Sequence, residues 1–323
     1  MKKVGVLGSF VWDVIYGRDV RSTPLEEWGG ITYALSGFDA ALPPDWSIVP
    51  IAKVGNDLAL RARQFLSTLR RLSPGAGAVE VPSPTNRVEM RYLNAERRTE
   101  VLSGGVPAWN FPALHPLLEG LDALYVNLIS GFELDLPTAQ LMRRHFRGPI
   151  YFDLHSLMLA VQPDGLRTLQ SLPNAADWCA CGDLLQVNED EMSMMASDPL
   201  SLAATAMARG ARSLVVTLGA RGLVYVNAPG FDRLGDQTGA GDVARVGGAI
   251  RTALVPPLPR PVKTEGDPTG CGDVFGATYF SRLLAGDMFA EALHAGIRAA
   301  VRNVDHRGAS GLGSYLRGEL IAS

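Results

Sequence analysis

A glycine-rich segment close to the C-terminus combines the groups that a phosphoryl transfer requires. It reads Asp267-Pro-Thr-Gly-Cys-Gly-Asp273, and an apolar-periodic segment that predicts a helix follows it directly. The N-terminus of a helix favours anions, because its first backbone amides have no partner within the helix. We therefore expect the amides of Gly270, Cys271 and Gly272 to stabilise the charge that develops on a transferred group. The carboxylate of Asp273 lies at the junction, where it can accept a proton from an attacking hydroxyl.

Four further segments place glycines or polar residues directly after predicted strands or in their connections. They are Gly8-Ser-Phe-Val-Trp-Asp13, Trp28-Gly29-Gly30, Asn188-Glu-Asp-Glu191 and Val216-Thr-Leu-Gly-Ala-Arg-Gly222. Together with residues 267–273, these segments resemble, in order and spacing, the motifs of the ribokinase-like (PfkB) carbohydrate kinase family. The resemblance covers nearly the whole chain, and it implies an α/β fold of the ribokinase type.

The resemblance also implies a role for each residue that matches a motif. Asp13, Gly29, Gly30 and Asp153 are expected to contact the substrate, Asn188, Glu191, Thr217, Gly219, Gly222 and Asn303 to bind the cofactor, and Glu191 to hold Mg²⁺ through water. ATP and Mg²⁺ are the implied co-substrates, and a hydroxyl of a sugar or sugar-like molecule is the implied acceptor. Asp273 would then be the general base that prepares this hydroxyl for the γ-phosphoryl group. Relatives dimerise through the lid, so the resemblance also allows a homodimer of this kind.

The sequence departs from the family pattern near the predicted acceptor site. The family motif ends in an Asn that commonly contacts the sugar, whereas here the matching residue is Ala34 and the preceding Tyr33 can fill the space. The segment Gly55-Asn-Asp57 is followed by Leu60 where the family has a glycine. Where the family often has Asp-x-Asn, this chain has Asp153-Leu-His155, and the residues leave open whether His155 binds substrate or is structural. The departures argue against a simple assignment of ribose or fructose as the acceptor.

The glycine-rich motif occurs twice in the sequence. The segment Asp236-Gln-Thr-Gly-Ala-Gly-Asp242 has the same pattern, but the residues behind it predict a poor helix because they include paired glycines. Pro261–Thr264 is expected to form a strand that leads into the second copy. The second copy, with Asp273, is therefore the predicted catalytic one, and the first copy is expected to lie in a surface insertion.

The elements that must position these motifs follow from the hydrophobic pattern. Alternating stretches between Val79 and Leu102 predict exposed antiparallel strands, whereas strands and helices alternate from residue 120 onward. This alternation favours a mostly parallel central sheet flanked by helices, and one such helix is expected to include Leu166–Leu172. We predict one domain over residues 1–323, with a small β-sheet lid at about 14–34 and 84–104 and a surface insertion at about 228–260.

The amino-acid composition and net charge indicate what type of protein this is and which partners are not expected. Hydrophobic residues make up 47% and charged residues 20% of the 323 residues, as in an ordinary globular enzyme. The net charge of −3 gives no reason to expect a nucleic acid or an acidic membrane as partner. Only three cysteines occur, which fits a reducing compartment and a cytoplasmic location rather than a disulfide framework. The expected partner is thus a small hydroxylated molecule.

Other functions remain open at the level of the sequence. The chain lacks both the G-x-G-x-x-G spacing of dinucleotide-binding enzymes and the G-x-x-x-x-G-K-[ST] motif of P-loop kinases. A nucleoside or inositol kinase of the same fold is an alternative, because these acceptors also present hydroxyls. A non-catalytic sugar or nucleotide sensor is a second alternative, although a pure binding protein would not need a general base.

The two copies of the glycine-rich motif can be told apart by mutation. We expect Asp273→Asn to lower kcat by a factor of ~10² or more, as the loss of a general base would, while nucleotide binding is largely retained. Asp242→Asn should leave turnover close to that of the wild type. Acceptor-dependent release of ADP measures both effects, and loss of activity in Asp242→Asn alone would show that the first copy is the catalytic one.

Overall fold

The fold was analysed in a computed structural model, which describes residues 1–16, 23–92, 98–235, 248–259 and 266–319. The duplicate motif at 236–242 and the expected strand Pro261–Thr264 lie outside these ranges. The strands are β1 (Lys2–Tyr16), β2 (Leu25–Gly30), β3 (Trp46–Gly55), β4 (Val79–Val81), β5 (Asn86–Tyr92), β6 (Arg98–Ser103), β7 (Ala123–Asn127), β8 (Ile150–Asp153), β9 (Leu159–Val161), β10 (Arg167–Leu169), β11 (Leu184–Asn188), β12 (Ser213–Thr217), β13 (Leu223–Asn227) and β14 (Arg251–Val255).

The helices alternate with these strands along most of the chain. They are α1 (Ile31–Ala41), α2 (Ala59–Ser67), α3 (Phe111–Leu118), α4 (Leu136–His145), α5 (Ala175–Cys179), α6 (Glu189–Ser193), α7 (Pro199–Ala208), α8 (Cys271–Leu284), α9 (Phe289–Asn303) and α10 (Leu312–Leu316), with 3₁₀ turns at His155–Met158 and Gly219–Arg221. Several helices begin at side chains that cap their first amides. Asp135 accepts a hydrogen bond from the amide of Thr138 at 2.8 Å, and Asp198 caps α7 in the same way.

The main sheet has the order β14-β13-β12-β11-β8-β7-β1-β3-β4. The strands from β12 to β4 in this order pair in parallel, whereas β13 and β14 add an antiparallel edge. The inner strands are buried on both faces, which explains why they appear in the sequence as continuous apolar runs. The predicted α/β fold with a mostly parallel sheet is confirmed.

Helices cover both faces of the sheet and form two hydrophobic clusters. One cluster joins the sheet to α1, α8 and α9 and includes Phe38, Phe275 and Phe280. The other joins it to α3, α4, α5 and α7. A Cβ built on Gly37 would lie only 3.0 Å from Cβ of Ala277, so small residues let α1 and α8 approach closely. This contact fixes the helix that begins at the glycine-rich motif against the rest of the core.

A small second sheet lies beside the main one and shares strand β1 with it. Residues 2–9 of β1 pair with β3, and the strand then continues so that residues 11–16 pair in parallel with β5. β2 pairs antiparallel with the same part of β1, and β6 pairs antiparallel with β5. The small sheet therefore has the order β2-β1-β5-β6. One uninterrupted strand thus connects it rigidly to the parallel sheet.

One local prediction was wrong. Residues 166–172 do not form part of a helix, because Arg167–Leu169 is strand β10, which pairs with β9 in a two-stranded hairpin. Within the expected surface insertion at 228–260, Arg251–Val255 pairs along β13 as the exposed edge strand β14. Both strands are short and depend on pairing with a partner strand, which their own hydrophobic pattern does not reveal. No helix in the described ranges is both long and apolar enough to cross a membrane.

The packing of α1 predicts a stability difference between two leucines. Leu35 is 0% exposed in the core, whereas Leu60 on α2 is 62% exposed. We expect Leu35→Ala to lower the free energy of unfolding by ~2–5 kcal/mol, since it leaves a cavity. Leu60→Ala should change it by no more than about 0.5 kcal/mol. Urea denaturation of both variants measures the difference, and equal losses would contradict the packing described for α1.

Candidate active site

The glycine-rich motif forms a tight turn that leads into α8. Gly270 occupies the N-cap position with a φ of 73°, a backbone conformation that favours glycine. The turn is held by Asp267, whose Oδ1 accepts a hydrogen bond from the amide of Thr269 at 2.9 Å. The amide of Cys271 donates to the carbonyl of Pro268 at 3.2 Å, so the turn itself already uses it. The amides of Gly270 and Gly272 are thus better placed for an anion than that of Cys271.

Asp273 lies in the first turn of α8, and side chains from strands of the parallel sheet fix its position. Its Oδ1 accepts a hydrogen bond from Nδ2 of Asn127 at 2.6 Å, and Asn127 is completely buried at the end of β7. Gln186 in β11 donates to the carbonyl of Gly272 at 3.1 Å. Because the carboxyl ends of parallel strands meet at one edge of the sheet, residues distant in sequence fix this carboxylate together.

The predicted substrate residues Asp13, Gly29 and Gly30 lie together where β1 and β2 pair in the small sheet. A Cβ built on Gly29 would overlap the carboxylate of Asp13, so glycine is required for the carboxylate to lie there. Gly30 has a φ of 59° and begins α1, and a Cβ on it would lie 2.7 Å from the carbonyl oxygen of Ser9. Asp13 itself is buried, and it lines the same pocket as Gly270 and Asp273 at the start of α8.

One pocket brings the two ends of the predicted site together. Its lining residues are Val11, Asp13, Gly30, Tyr33, Val88, Met90, Glu100, Ile129, His155, Arg167, Thr269, Gly270 and Asp273. Asp13 and Asp273 therefore face the same cavity, although they lie near opposite ends of the chain. A small molecule in this pocket would contact a carboxylate from the small sheet and a carboxylate from the helix N-terminus at the same time.

Tyr33 directly precedes Ala34, the residue at which the sequence departs from the family motif. It lines the pocket, and its ring lies so close to Gly270 that a Cβ on that glycine would overlap it. Burial, together with the nearby carboxylates of Asp13, Asp267 and Asp273, raises the pKa of Tyr33 well above its ordinary value. Its hydroxyl therefore stays protonated and can donate a hydrogen bond within an acidic environment.

Asp153, His155 and Glu191 form a second cluster beside the pocket. One ligand atom from each lies within 4.8 Å of the others, and Nδ1 of His155 is 3.6 Å from Oε1 of Glu191. His155 has a φ of 31°, which is uncommon for a residue other than glycine. Asp153 is the last residue of β8 and accepts a hydrogen bond from Gln186 at 2.9 Å. Carboxylate oxygens are the ligands that Mg²⁺ prefers, so this cluster fits the cation that the sequence predicts.

Asn188 and Glu191 are joined in a reciprocal cap at the start of α6. Oδ1 of Asn188 accepts from the amide of Glu191 at 2.9 Å, and Oε2 of Glu191 accepts from the amide of Asn188 at 2.8 Å. Burial, together with the nearby carboxylate of Asp273, raises the pKa of Glu191 to about 8. Burial likewise raises the pKa of Asp153 well above its ordinary value. A bound cation would favour the ionised form of both carboxylates.

The other predicted cofactor residues do not all face one space. Thr217 ends β12 beside Asn188 in the register, and Gly219 is exposed in the following 3₁₀ turn with open space around its Cα. Gly222, with a φ of 93°, instead packs against the carbonyl of Val255. Asn303 is completely buried, and its Nδ2 donates to the carbonyl of Thr269 at 2.8 Å. Gly222 and Asn303 therefore shape the surrounding backbone, whereas Thr217 and Gly219 remain accessible to a ligand.

Sequence reasoning missed several residues of the site. Asn127 and Gln186 hold the start of α8, and Glu100 and Arg167 line the pocket. Arg167 was hidden because its segment was predicted as a helix, and a single Asn at the end of an apolar run has no distinctive pattern. The position of Asn127, a polar residue at the end of a buried apolar strand, was the one available signal.

Part of the chain matches a known protein family. The profile of the pfkB family carbohydrate kinases matches residues 161–313, just under half of the 323-residue chain. That stretch contains Asn188, Glu191 and the whole turn before α8. No curated protein matches the sequence.

Solved structures match almost the entire chain. A pyrophosphate-dependent kinase in the ribokinase family, solved as a sulfate complex, gives a TM-score of 0.69 at 16% identity over 94% of this chain and 96% of its own. The nucleoside kinase of Burkholderia thailandensis, in complex with inosine, gives 0.66 at 16% identity over 98% and 95%. The ribokinase of Arabidopsis thaliana, complexed with ribose and ATP, gives 0.62 at 14% identity over 98% and 99%.

The chain therefore has the fold of the ribokinase-like kinases. Within that class, the match at 161–313 confirms that the motifs in this stretch resemble those of the pfkB family of carbohydrate kinases.

The pKa of Glu191 predicts a pH-dependent stability. Since burial raises this pKa from an ordinary value of 4.5 to about 8, the folded state holds the proton more tightly than the unfolded chain. The resulting stability is fully present below the ordinary pKa and is lost as the pH rises toward 8. Between about pH 5 and about pH 8, we expect the wild type to lose roughly 2–4 kcal/mol more unfolding free energy than Glu191→Gln.

Urea denaturation at several pH values measures this difference. Glu189→Gln is the matched control, because Glu189 begins the same short helix but is exposed and pairs with Arg221. The control should retain the pH dependence of the wild type. An identical pH dependence in Glu191→Gln and the wild type would contradict the inferred burial of a protonated Glu191.

Proposed function

We propose that the protein is an ATP-dependent small-molecule kinase of the PfkB type, which transfers the γ-phosphoryl group to a hydroxyl of a sugar or sugar-like acceptor. The observation that carries this proposal is the shared pocket of Asp13 and Asp273, with the start of α8 beside it. One carboxylate can hold an acceptor hydroxyl while the other accepts the proton of the hydroxyl that reacts. The order of motifs along the chain and the pfkB match support the same activity.

Asp273 is proposed as the general base of the transfer. The acceptor hydroxyl would donate its proton to the carboxylate of Asp273, and its oxygen would attack the phosphorus in line with the leaving oxygen. Asn127 holds one carboxylate oxygen at 2.6 Å, and Asp273 lines the pocket. The amides of Gly270 and Gly272 would stabilise the charge on the transferred group. Asp13, Gly29 and Gly30 would position the acceptor from the opposite side.

The donor is proposed to lie across the ends of β11 and β12. Asn188 and Thr217 are neighbours there, and the exposed turn at Gly219 borders the same edge. The ribokinase of Arabidopsis thaliana was solved with ATP, which supports ATP as the donor. A structural relative is pyrophosphate-dependent, so pyrophosphate is the donor to compare with ATP in any assay.

Mg²⁺ is proposed to bind between the donor and the sheet. Asp153, His155 and Glu191 are the residues that would hold it, directly or through water. When bound, Mg²⁺ neutralises charge on the phosphates. The residues of this chain would orient the site, because the reciprocal cap between Asn188 and Glu191 fixes the Glu191 side chain before any ligand arrives.

The small sheet is proposed to act as the lid of a single domain that spans residues 1–323. It carries Val11, Val88 and Met90 over the pocket, and an apolar cover of this kind excludes water from the transfer. Exclusion of water limits the wasteful hydrolysis of the donor. Closure would therefore be a requirement of the kinase function and not of a pure binding protein.

A non-catalytic sensor is the competing proposal, and turnover separates the two. The assay measures release of ADP or of phosphate from ATP and pyrophosphate, with Mg²⁺, across sugars, inositols and nucleosides. A kinase releases product only when an acceptor is present. Binding of the nucleotide and of an acceptor without any product would support the sensor instead.

The hydrogen bond between Asn127 and Asp273 gives a specific prediction. We expect Asn127→Ala to lower kcat by a factor of ~10 to 10², because a misplaced base reacts poorly even when substrate still binds. Asn227→Ala is the matched control, since Asn227 is equally buried at a strand end but contacts Ser213 instead of the pocket. The control should keep the kcat of the wild type. Equal losses in both variants would indicate a general effect on folding and would contradict the positioning role.

A further inference from the structure

The lid presents a mostly apolar surface to the pocket. Val11, Val88 and Met90 are all less than 5% exposed, and Ile129 continues this surface on the floor. Two carboxylates interrupt it, Asp13 on β1 and Glu100 on β6. A ligand with a flat face of C–H groups and polar edges matches this arrangement, because the face can pack on apolar side chains while the edges form hydrogen bonds.

Glu100 forms an ion pair with Arg167 at the edge of the pocket. Nη1 of Arg167 lies 3.2 Å from Oε2 of Glu100, and Nη2 donates to the carbonyl of Ile129 at 3.0 Å. The side chain of Arg167 is only 4% exposed and that of Glu100 only 17% exposed. The guanidinium is therefore held between the lid and the floor, and both charged groups reach the pocket.

The hairpin that carries Arg167 is attached to the lid by its backbone. The amide of Leu102 in β6 donates to the carbonyl of Gly165 at 2.8 Å, and Val101 forms an isolated bridge with Leu166. Gly165 has a φ of 84°, and a Cβ on it would lie 2.5 Å from the carbonyl of Leu102. The position of the ion pair is thus fixed by backbone contacts on both sides.

Stability alone does not account for an ion pair in this place. A buried Arg–carboxylate pair is frequently no more stabilising than apolar side chains of the same volume, which surround it here. A role in ligand recognition does account for an ion pair at the edge of the pocket. The guanidinium only donates hydrogen bonds and the carboxylate only accepts them, so adjacent hydroxyls, which do both, can bind to the two together.

The charges around the pocket indicate which ligands are excluded. The described lining residues include the carboxylates of Asp13, Glu100 and Asp273, against the guanidinium of Arg167 and the imidazole of His155. A carboxylate or phosphate on the acceptor would meet Glu100 wherever it approached Arg167. Because like charges in a shielded pocket repel strongly, an anionic acceptor is disfavoured.

We infer that Glu100 and Arg167 form a specificity-determining pair that selects an uncharged polyhydroxylated acceptor and rejects sugar acids and sugar phosphates. This inference rests on the proposed function, since it names the acceptor class for the same pocket. It also assigns a role to the β9–β10 hairpin, which holds one member of the pair against the lid.

The test compares uncharged sugars with the acids of the same carbon skeleton. Glucose with gluconate and ribose with ribonate are the pairs, and myo-inositol is an additional uncharged probe. Binding is measured by calorimetry, and kcat/KM is measured where turnover occurs. We expect the wild type to prefer at least one uncharged compound over its acid by ~10-fold or more, and Glu100→Gln to shift this ratio toward the acid by ~10-fold.

Two further variants test whether the change in preference between sugar and acid depends on the carboxylate of Glu100. Glu89→Gln is the matched control, because Glu89 lies on the neighbouring lid strand but is exposed and pairs with Arg91; it should keep the ratio of the wild type. Arg167→Lys keeps the positive charge but loses the planar guanidinium, so it should weaken acceptor binding without a shift toward acids.

Three results would overturn the inference. They are a wild-type preference for the acids, an equal effect of Glu100→Gln on both members of each pair, and failure of every uncharged probe to bind. The inference and the proposed function fail in different ways. Selective binding without phosphoryl transfer would reject the kinase but keep the specificity pair, whereas transfer without charge selectivity would do the reverse.

Discussion

The proposed site depends on holding acidic side chains out of water at one edge of a parallel sheet. Asp153, Glu191 and Asp273 are all buried there, and a buried carboxylate is costly unless hydrogen bonds or a cation compensate. Asn127 compensates part of this cost for Asp273, and the reciprocal cap with Asn188 does so for Glu191. A bound cation, or a hydroxyl that donates its proton, would offset the remaining cost, and the proposed phosphoryl transfer brings both to this edge.

The small sheet completes the site because strand β1 belongs to both sheets. Asp13 lies on the part of β1 that has left the main sheet, so its distance from the start of α8 is set by continuous backbone. Gly29 must remain without a side chain for this carboxylate to fit. The ion pair between Glu100 and Arg167 adds a second connection between the lid and the floor. The same contacts that attach the small sheet therefore also shape the pocket that is proposed to hold the acceptor.

The motifs that could be predicted from the sequence are those in which glycine and carboxylate are close in the chain. The turn before α8 was found because Gly270, Gly272 and Asp273 act through local backbone geometry. Arg167 could not be found, since its strand has only three residues and is defined by its pairing with β9, while its segment also fits a helical pattern. Asn303 supports the turn through the carbonyl of Thr269, a contact that depends on how α9 packs, and its expected role at the donor site stays a prediction. The fold followed from the alternation of elements, whereas these roles followed only from tertiary contacts.

The central claim is that Asp273 removes the proton from a hydroxyl in the pocket that it shares with Asp13. Its most direct test measures acceptor binding and phosphoryl transfer in the same preparation of Asp273→Asn. The account predicts that acceptor and nucleotide still bind with affinities close to those of the wild type, while kcat falls by ~10² or more. Turnover close to that of the wild type, with binding intact, would contradict the account.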